Sequence, residues 1–161
     1  MIVVADSGPL HYLILLEQTE LLYRFYGQVI APEAVFRELT APKAPQPVRD
    51  WLSKPPFWFR VQSVLPDKLD LVTDELDLGE REAIVLARLL GADLLLIDES
   101  SGRAEARRLS LRVTGTLGIL RTAAERGLIE VPEALARLRA TSFYVDENLI
   151  SSIFGEWQTS S

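Results

Sequence analysis

The opening residues constrain this chain more than any other stretch. Residues 2–5 (Ile-Val-Val-Ala) are apolar without a break and include two β-branched valines, the pattern of a short strand buried on both faces. Asp6 stands where that run ends. Ser7 can cap a helix that starts there, and Pro9 suits its first turn, where the missing N–H costs nothing. Strands buried on both faces belong to parallel sheets covered by helices. In such sheets ligands and chemistry sit beyond the carboxyl ends of the strands. Asp6 is a carboxylate in that place.

The same alternation runs down the chain. Further strands are predicted at 28–31, 57–61, 93–98 and 111–114, the fourth also ending on an aspartate, Asp98. Between them lie helical patterns at 11–24 (one or two segments), 32–39, 48–53, 83–90 and 100–109, with two more at 117–126 and 132–139. The triplet Phe143-Tyr144-Val145 reads as a small extra strand. A last amphipathic helix, at about 146–157, carries Leu149, Ile150, Ile153, Phe154 and Trp157 on one stripe. The expected fold is an α/β, three-layer α/β/α sandwich with a central parallel sheet, as one domain over 1–161. Right-handed crossovers, with the two most apolar strands at the centre, give the order 3-2-1-4-5. The topological switch then brings Asp6 and Asp98 to one crevice.

Composition narrows the chemistry. With no cysteine, disulfides, zinc–thiolate sites and thiol nucleophiles are excluded, and a cytoplasmic location is expected. No basic segment precedes the first apolar run, which breaks at Asp6, so no signal peptide is read there. No uninterrupted apolar stretch reaches the roughly 18 residues of a membrane span. The net charge of −6 argues against non-specific adhesion to polyanions. Locally the balance reverses. Residues 103–126 hold Arg103, Arg107, Arg108, Arg112, Arg121 and Arg126 against Glu105 and Glu125, a surplus of +4 beside Asp98. Such arginines can hold phosphates or simply face solvent.

Two carboxylates in one crevice repel each other unless a cation lies between them. Oxygen donors without thiolates point to a hard ion, Mg²⁺ or Mn²⁺. Glu82, early in the buried helix before strand four, is placed to lean over the crevice, and Glu38 can approach from beyond strand two. One or two ions held by Asp6, Glu38, Glu82 and Asp98 would activate a water and steady a phosphodiester. Glu80 and Glu99 are further candidates, though an acid in a first helical turn is welcome in any protein. Asp67, Asp70, Asp74 and Asp77 read as a solvated connection. The only histidine, His11, reads as structural or as part of the rim.

At these residues the chain resembles a family. Asp6-Ser7 after strand one, Glu38 in "PEAVFREL", "GEREAIVLA" and "LLLIDES" together look like the PIN domain, the nuclease fold of VapC-type toxins. "RVTGTLGIL", "RGLI" and "LRATSFYVDENLISSIF" look like a VapC-related subgroup. The resemblance covers nearly the whole chain. It implies Mg²⁺- or Mn²⁺-dependent ribonuclease activity on RNA and pairing with a small antitoxin, with Asp6, Glu38, Glu82 and Asp98 as the metal-site acids. Many relatives have Asp at the Glu82 position and another acid soon after that of Asp98, which here is Glu99 or Glu105. By the same likeness Ser7 contacts a water or phosphate at the metal. Ser7, Arg103, Arg107 and Thr116 are the expected substrate contacts, although Ser7 and Thr116 serve equally as helix caps.

A catalytically inactive PIN-fold module that binds RNA or protein is the alternative. A phospho-receiver would need a lysine near strand five, where Thr114-Gly115-Thr116 offers none, and no glycine-rich loop follows strand one as in a nucleotide-binding domain. The terminal stripe and the apolar residues between 12 and 26 lead us to expect a homodimer.

Overall fold

The computed structural model describes residues 1–158; the end of the expected domain, 159–161, lies outside the described residues. Five parallel strands pair in the order β3-β2-β1-β4-β5, as expected. They are β1 (Val3–Ala5), β2 (Val29–Pro32), β3 (Phe59–Gln62), β4 (Leu94–Leu96) and β5 (Val113–Thr114). Val4 lies opposite Ile30 on one side and Leu95 on the other, so β1 and β4 are central neighbours.

Strand residues alternate between two cores, as a pleated strand requires. Val3, Ala5, Val29, Ala31 and Leu96 face one core. Around it pack α1 (Ser7–Leu15), α2 (Glu20–Tyr26), α3 (Glu33–Thr40), α4 (Gln46–Ser53), α7 (Thr116–Glu125), α8 (Val131–Arg139) and α9 (Glu147–Gln158). Val4, Ile30, Leu95 and Ile97 face the second core, filled mainly by α5 (Leu78–Leu90) with help from Ala106 of α6 (Ser100–Arg108). Ala83 to Ala87 are buried all round in α5, which explains its lack of a polar stripe. Gly91, at φ 59°, stops α5 in the left-handed conformation that glycine adopts without a Cβ penalty.

One sequence expectation changes. Residues 143–145 join no sheet. The Phe143 N–H is taken by Thr141 Oγ1 at 3.2 Å, and its ring meets Tyr12 edge-on at 5.0 Å, so side chains rather than a ladder hold the segment. Most of the terminal stripe packs on the chain's own body, while Leu149 stays 46% exposed. Ile150 and Phe154 are fully buried, Ile153 and Trp157 pack on the same core, and Arg121 reaches the Ile153 carbonyl at 2.8 Å. Arg139 adds a two-pronged bond to Glu147, both contacts at 2.9 Å. Among the described residues, no helix is long and apolar enough to cross a membrane.

Candidate active site

Two backbone bonds set the geometry of the crevice. The Asp6 N–H donates to the Leu96 carbonyl at 2.8 Å, and the Ile97 N–H to the Thr114 carbonyl at 2.9 Å. The sheet thus delivers Asp6 and Asp98 together at the carboxyl ends of β1 and β4. A pocket of about 280 Å³ opens there, and Asp6, Ser7, Glu38, Asp77, Glu80, Asp98 and Glu99 line it with His11 and Tyr12.

Asp6 is 4% exposed, and among the described residues its Oδ1 has no hydrogen-bond partner. Burial pushes its carboxyl up to about 7. The Ser7 backbone amide opposes that push, and Asp77, Glu38 and Asp98 reinforce it. Glu80 is 7% exposed, and its Oε2 is likewise without a partner. Burial, contact with Asp77 and the charges of Asp6 and Glu99 raise it to about 8. Buried polar atoms are rarely left unpaired. Two buried carboxylates that line one pocket, each with an orphaned oxygen among the described residues, suit a positive ligand.

Asp98 is held on both oxygens by one residue: the Thr116 N–H donates to Oδ1 at 2.7 Å and the Thr116 hydroxyl to Oδ2 at 2.8 Å. Burial raises its pKa, while these bonds and the Arg103 charge lower it. Glycines leave room for the carboxylates. A Cβ on Gly8 would stand 2.7 Å from Asp98 Oδ2, one on Gly115 2.6 Å from Asp98 Oδ1, and one on Gly102 2.7 Å from Glu80 Oε2.

The predicted residues separate into two groups. Asp6, Glu38, Glu80, Asp98, Glu99 and Ser7 meet at the pocket. Glu82 does not. It is buried between helices, where its Oε1 accepts the Ala34 N–H at 3.0 Å in the first turn of α3. Positions 80 and 82 lie roughly 200° apart around a helix, so they cannot serve one crevice. Thr116 is fully buried with its hydroxyl donated to Asp98, so it positions that carboxylate. Ser7 lies inside α1, whose N-cap is Asp6. Arg103 and Arg107 line a larger neighbouring groove, whereas Arg108 pairs with Glu105, Arg121 with Glu125, and Arg126 lies over the Phe25 ring. Glu105 is committed to Arg108 and to the Thr73 N–H, away from the pocket.

Asp77 is the residue that sequence reasoning missed. Its Oδ1 accepts the Glu80 N–H at 2.8 Å as the N-cap of α5, which brings its carboxylate to the pocket. The Asp-x-x-Glu spacing ahead of an apolar run is a helix-start signature and is the signal that could have found it.

Among the described residues no three acids stand as a ready-made coordination set. The donors nevertheless fit a hard divalent ion: all are carboxylate oxygens, two of them unpartnered, in a space kept clear by glycines.

Residues 2–159 match the family described as PIN domain. The chain belongs to the PIN domain family, whose members are generally metal-dependent nucleases. A PilT N-terminus domain protein, SSO1118, from the hyperthermophilic archaeon Sulfolobus solfataricus P2 has a similar fold, with a TM-score of 0.56 and 16% identity. The alignment covers 76% of this chain and 93% of that one. No curated protein matches.

Proposed function

We propose that this chain is a Mg²⁺- or Mn²⁺-dependent endoribonuclease of the VapC-like, toxin-like kind. The observation that carries the proposal is the pair of buried carboxylates Asp6 and Glu80, each with one oxygen unpartnered among the described residues, which line one pocket with Asp98. Asp6, Glu80 and Asp98 would hold the ion, with Glu38, Asp77 and Glu99 at the rim. When bound, such an ion supplies Lewis-acid activation of water and of a phosphoryl oxygen. Thr116 aims Asp98 and offsets part of the upward push of burial, since hydrogen bonds to a carboxylate favour its charged form. Ser7 at the pocket and Arg103 beside it are the groups available to the phosphodiester.

The toxin-like reading, with its small antitoxin partner, draws on the likeness of "RVTGTLGIL" and the C-terminal stretch to VapC-related chains. Co-purification with the product of an adjacent small reading frame tests that part.

The activity itself is tested by incubating end-labelled RNA with the protein in Mn²⁺, in Mg²⁺ and in EDTA. Internal cleavage that requires the ion and vanishes in Asp6→Asn is the expected result. RNA bound but never cut, in either metal, would overturn the catalytic reading in favour of a binding module.

A further inference from the structure

His11 is the one histidine of the chain, and it lines the acid pocket. Among the described residues, every other polar side chain on that wall ends in a carboxylate or a hydroxyl. The imidazole is thus the one nitrogen base in an oxygen pocket. It stands one turn after Ser7 on α1, and residues four apart share a helix face, so both approach the pocket from the same side. The ring is half-buried and held in place. It packs edge-on against Tyr12 with ring centroids 4.6 Å apart. Tyr12 is itself anchored, its hydroxyl 3.1 Å from Ser142 Oγ and its ring edge-on to Phe143 at 5.0 Å. Yet the ring nitrogens of His11 have no hydrogen-bond partner among the described residues. Packing fixes the ring, and its nitrogens are left to a ligand.

We propose that His11 is a nitrogen ligand to the ion of the acid pocket and tunes that site to first-row transition ions, Mn²⁺, Co²⁺ or Zn²⁺, over Mg²⁺. The inference rests on the metal-dependent reading above and narrows it to a class of ion. Carboxylates by themselves suit Mg²⁺ and Mn²⁺ alike, whereas imidazole suits transition ions and Mg²⁺ keeps to oxygen and water. The form that binds a metal is the neutral ring. A histidine is mostly neutral near pH 7.5, and burial of this ring favours that form further, against the opposing charge of Glu38. The same neutrality disfavours the other use of the ring, a charge-assisted bond to phosphate, which needs the imidazolium. Glu38, whose charge is felt by both Asp6 and His11, supplies an acceptor for the second ring N–H, the usual arrangement behind a ligating histidine.

The test reads the ions directly, without RNA, on untagged protein. In calorimetric titrations His11→Ala should weaken Mn²⁺ and Co²⁺ binding by about tenfold or more and move Mg²⁺ binding by less than about twofold. Because the chain has one histidine, its ring nitrogens can also be followed by NMR in the parent protein, so the outcome does not hang on how a variant folds. One equivalent of Zn²⁺ should shift one ring-nitrogen signal strongly, and Mg²⁺ should leave both signals in place. Zn²⁺ or Mn²⁺ binding that spares the ring signals, or equal losses for Mg²⁺ and Mn²⁺ in His11→Ala, would overturn the proposal while the metal pocket itself stands. A His11→Ala protein that binds every ion like the parent but holds RNA less tightly would also overturn it and give the ring to phosphate. A parent that binds no divalent ion would remove the metal reading of the pocket, and this inference with it.

Discussion

Glu82 accepts the Ala34 N–H at 3.0 Å across the contact between α5 and α3. The N-cap of α3 is Pro32, whose side chain can cap nothing, so an acid from another helix satisfies a first-turn donor instead. Glu82→Ala should then cost about 1–2 kcal/mol, the scale of a lost cap or of a buried donor left unmade. For a domain of this size that is roughly 2–8 °C in melting temperature. Glu82→Gln keeps an acceptor and should cost less. Thermal melts with and without Mn²⁺ check this: both variants should keep the metal response of the parent.

Thr116 holds both oxygens of Asp98, and removing its hydroxyl tests whether that grip matters to the site. Thr116→Val keeps the shape and one backbone bond. We expect Mn²⁺ affinity, read by calorimetry, to fall about 10- to 100-fold, as for other residues that orient a metal ligand. Thr116→Ser should recover most of it.

Gly8→Ala attacks the same carboxylate from the other side, because the added Cβ would stand 2.7 Å from Asp98 Oδ2. Asp98 is pinned by Thr116 and has little freedom to swing away. The variant should fold and lose metal-dependent cleavage, whereas Gly79→Ala, whose Cβ would make only contacts of 3.5 Å or more, should fold and cleave.

Much of this is legible in the sequence. The uninterrupted apolar runs of β1 and β4 announce central parallel strands, and each ends on the aspartate that the sheet brings to the pocket. The choice between Glu80 and Glu82 is not legible. Both are acids in the opening turns of α5, and from Ala83 to Ala87 that helix is apolar and buried all round. No polar stripe therefore betrays its rotational phase, which only the packing against β1 and α3 decides. Tyr144 misleads for a related reason: an aromatic next to a β-branched residue suits a strand, but no open sheet edge receives it.

Acid pockets of this kind make stability depend on pH in a defined direction. Asp6 rises from 3.8 to about 7 and Glu80 from 4.5 to about 8, both chiefly through burial. A carboxyl raised in the folded state binds more protons folded than unfolded, so stability falls as pH rises between the two values. The metal-free protein should therefore melt higher near pH 5 than near pH 8.5. Glu105, held down to about 2 by Arg108 and the Thr73 N–H, loses its contribution only on acidification below this window. Melts in EDTA across the range check the slope; a flat or rising profile between pH 5 and 8 contradicts the buried-acid account.

The central claim is that Asp6, Glu80 and Asp98 are held together for a divalent ion, and melting temperature with and without that ion tests it most directly. At about 100 times its Kd an ion adds roughly 2.7 kcal/mol, which for a domain of this size is about 5–10 °C. Millimolar Mn²⁺ should give that rise at neutral pH, and a matched K⁺ concentration should not. Glu80→Gln and Asp98→Asn should both abolish the rise. Glu80→Gln should leave the metal-free protein about as stable as the parent, because burial already favours the protonated carboxyl there. Asp98→Asn gives up a carboxylate oxygen bonded by Thr116 and should melt somewhat lower. A parent protein whose melting ignores Mn²⁺, or a Glu80→Gln variant that responds like the parent, would contradict the account.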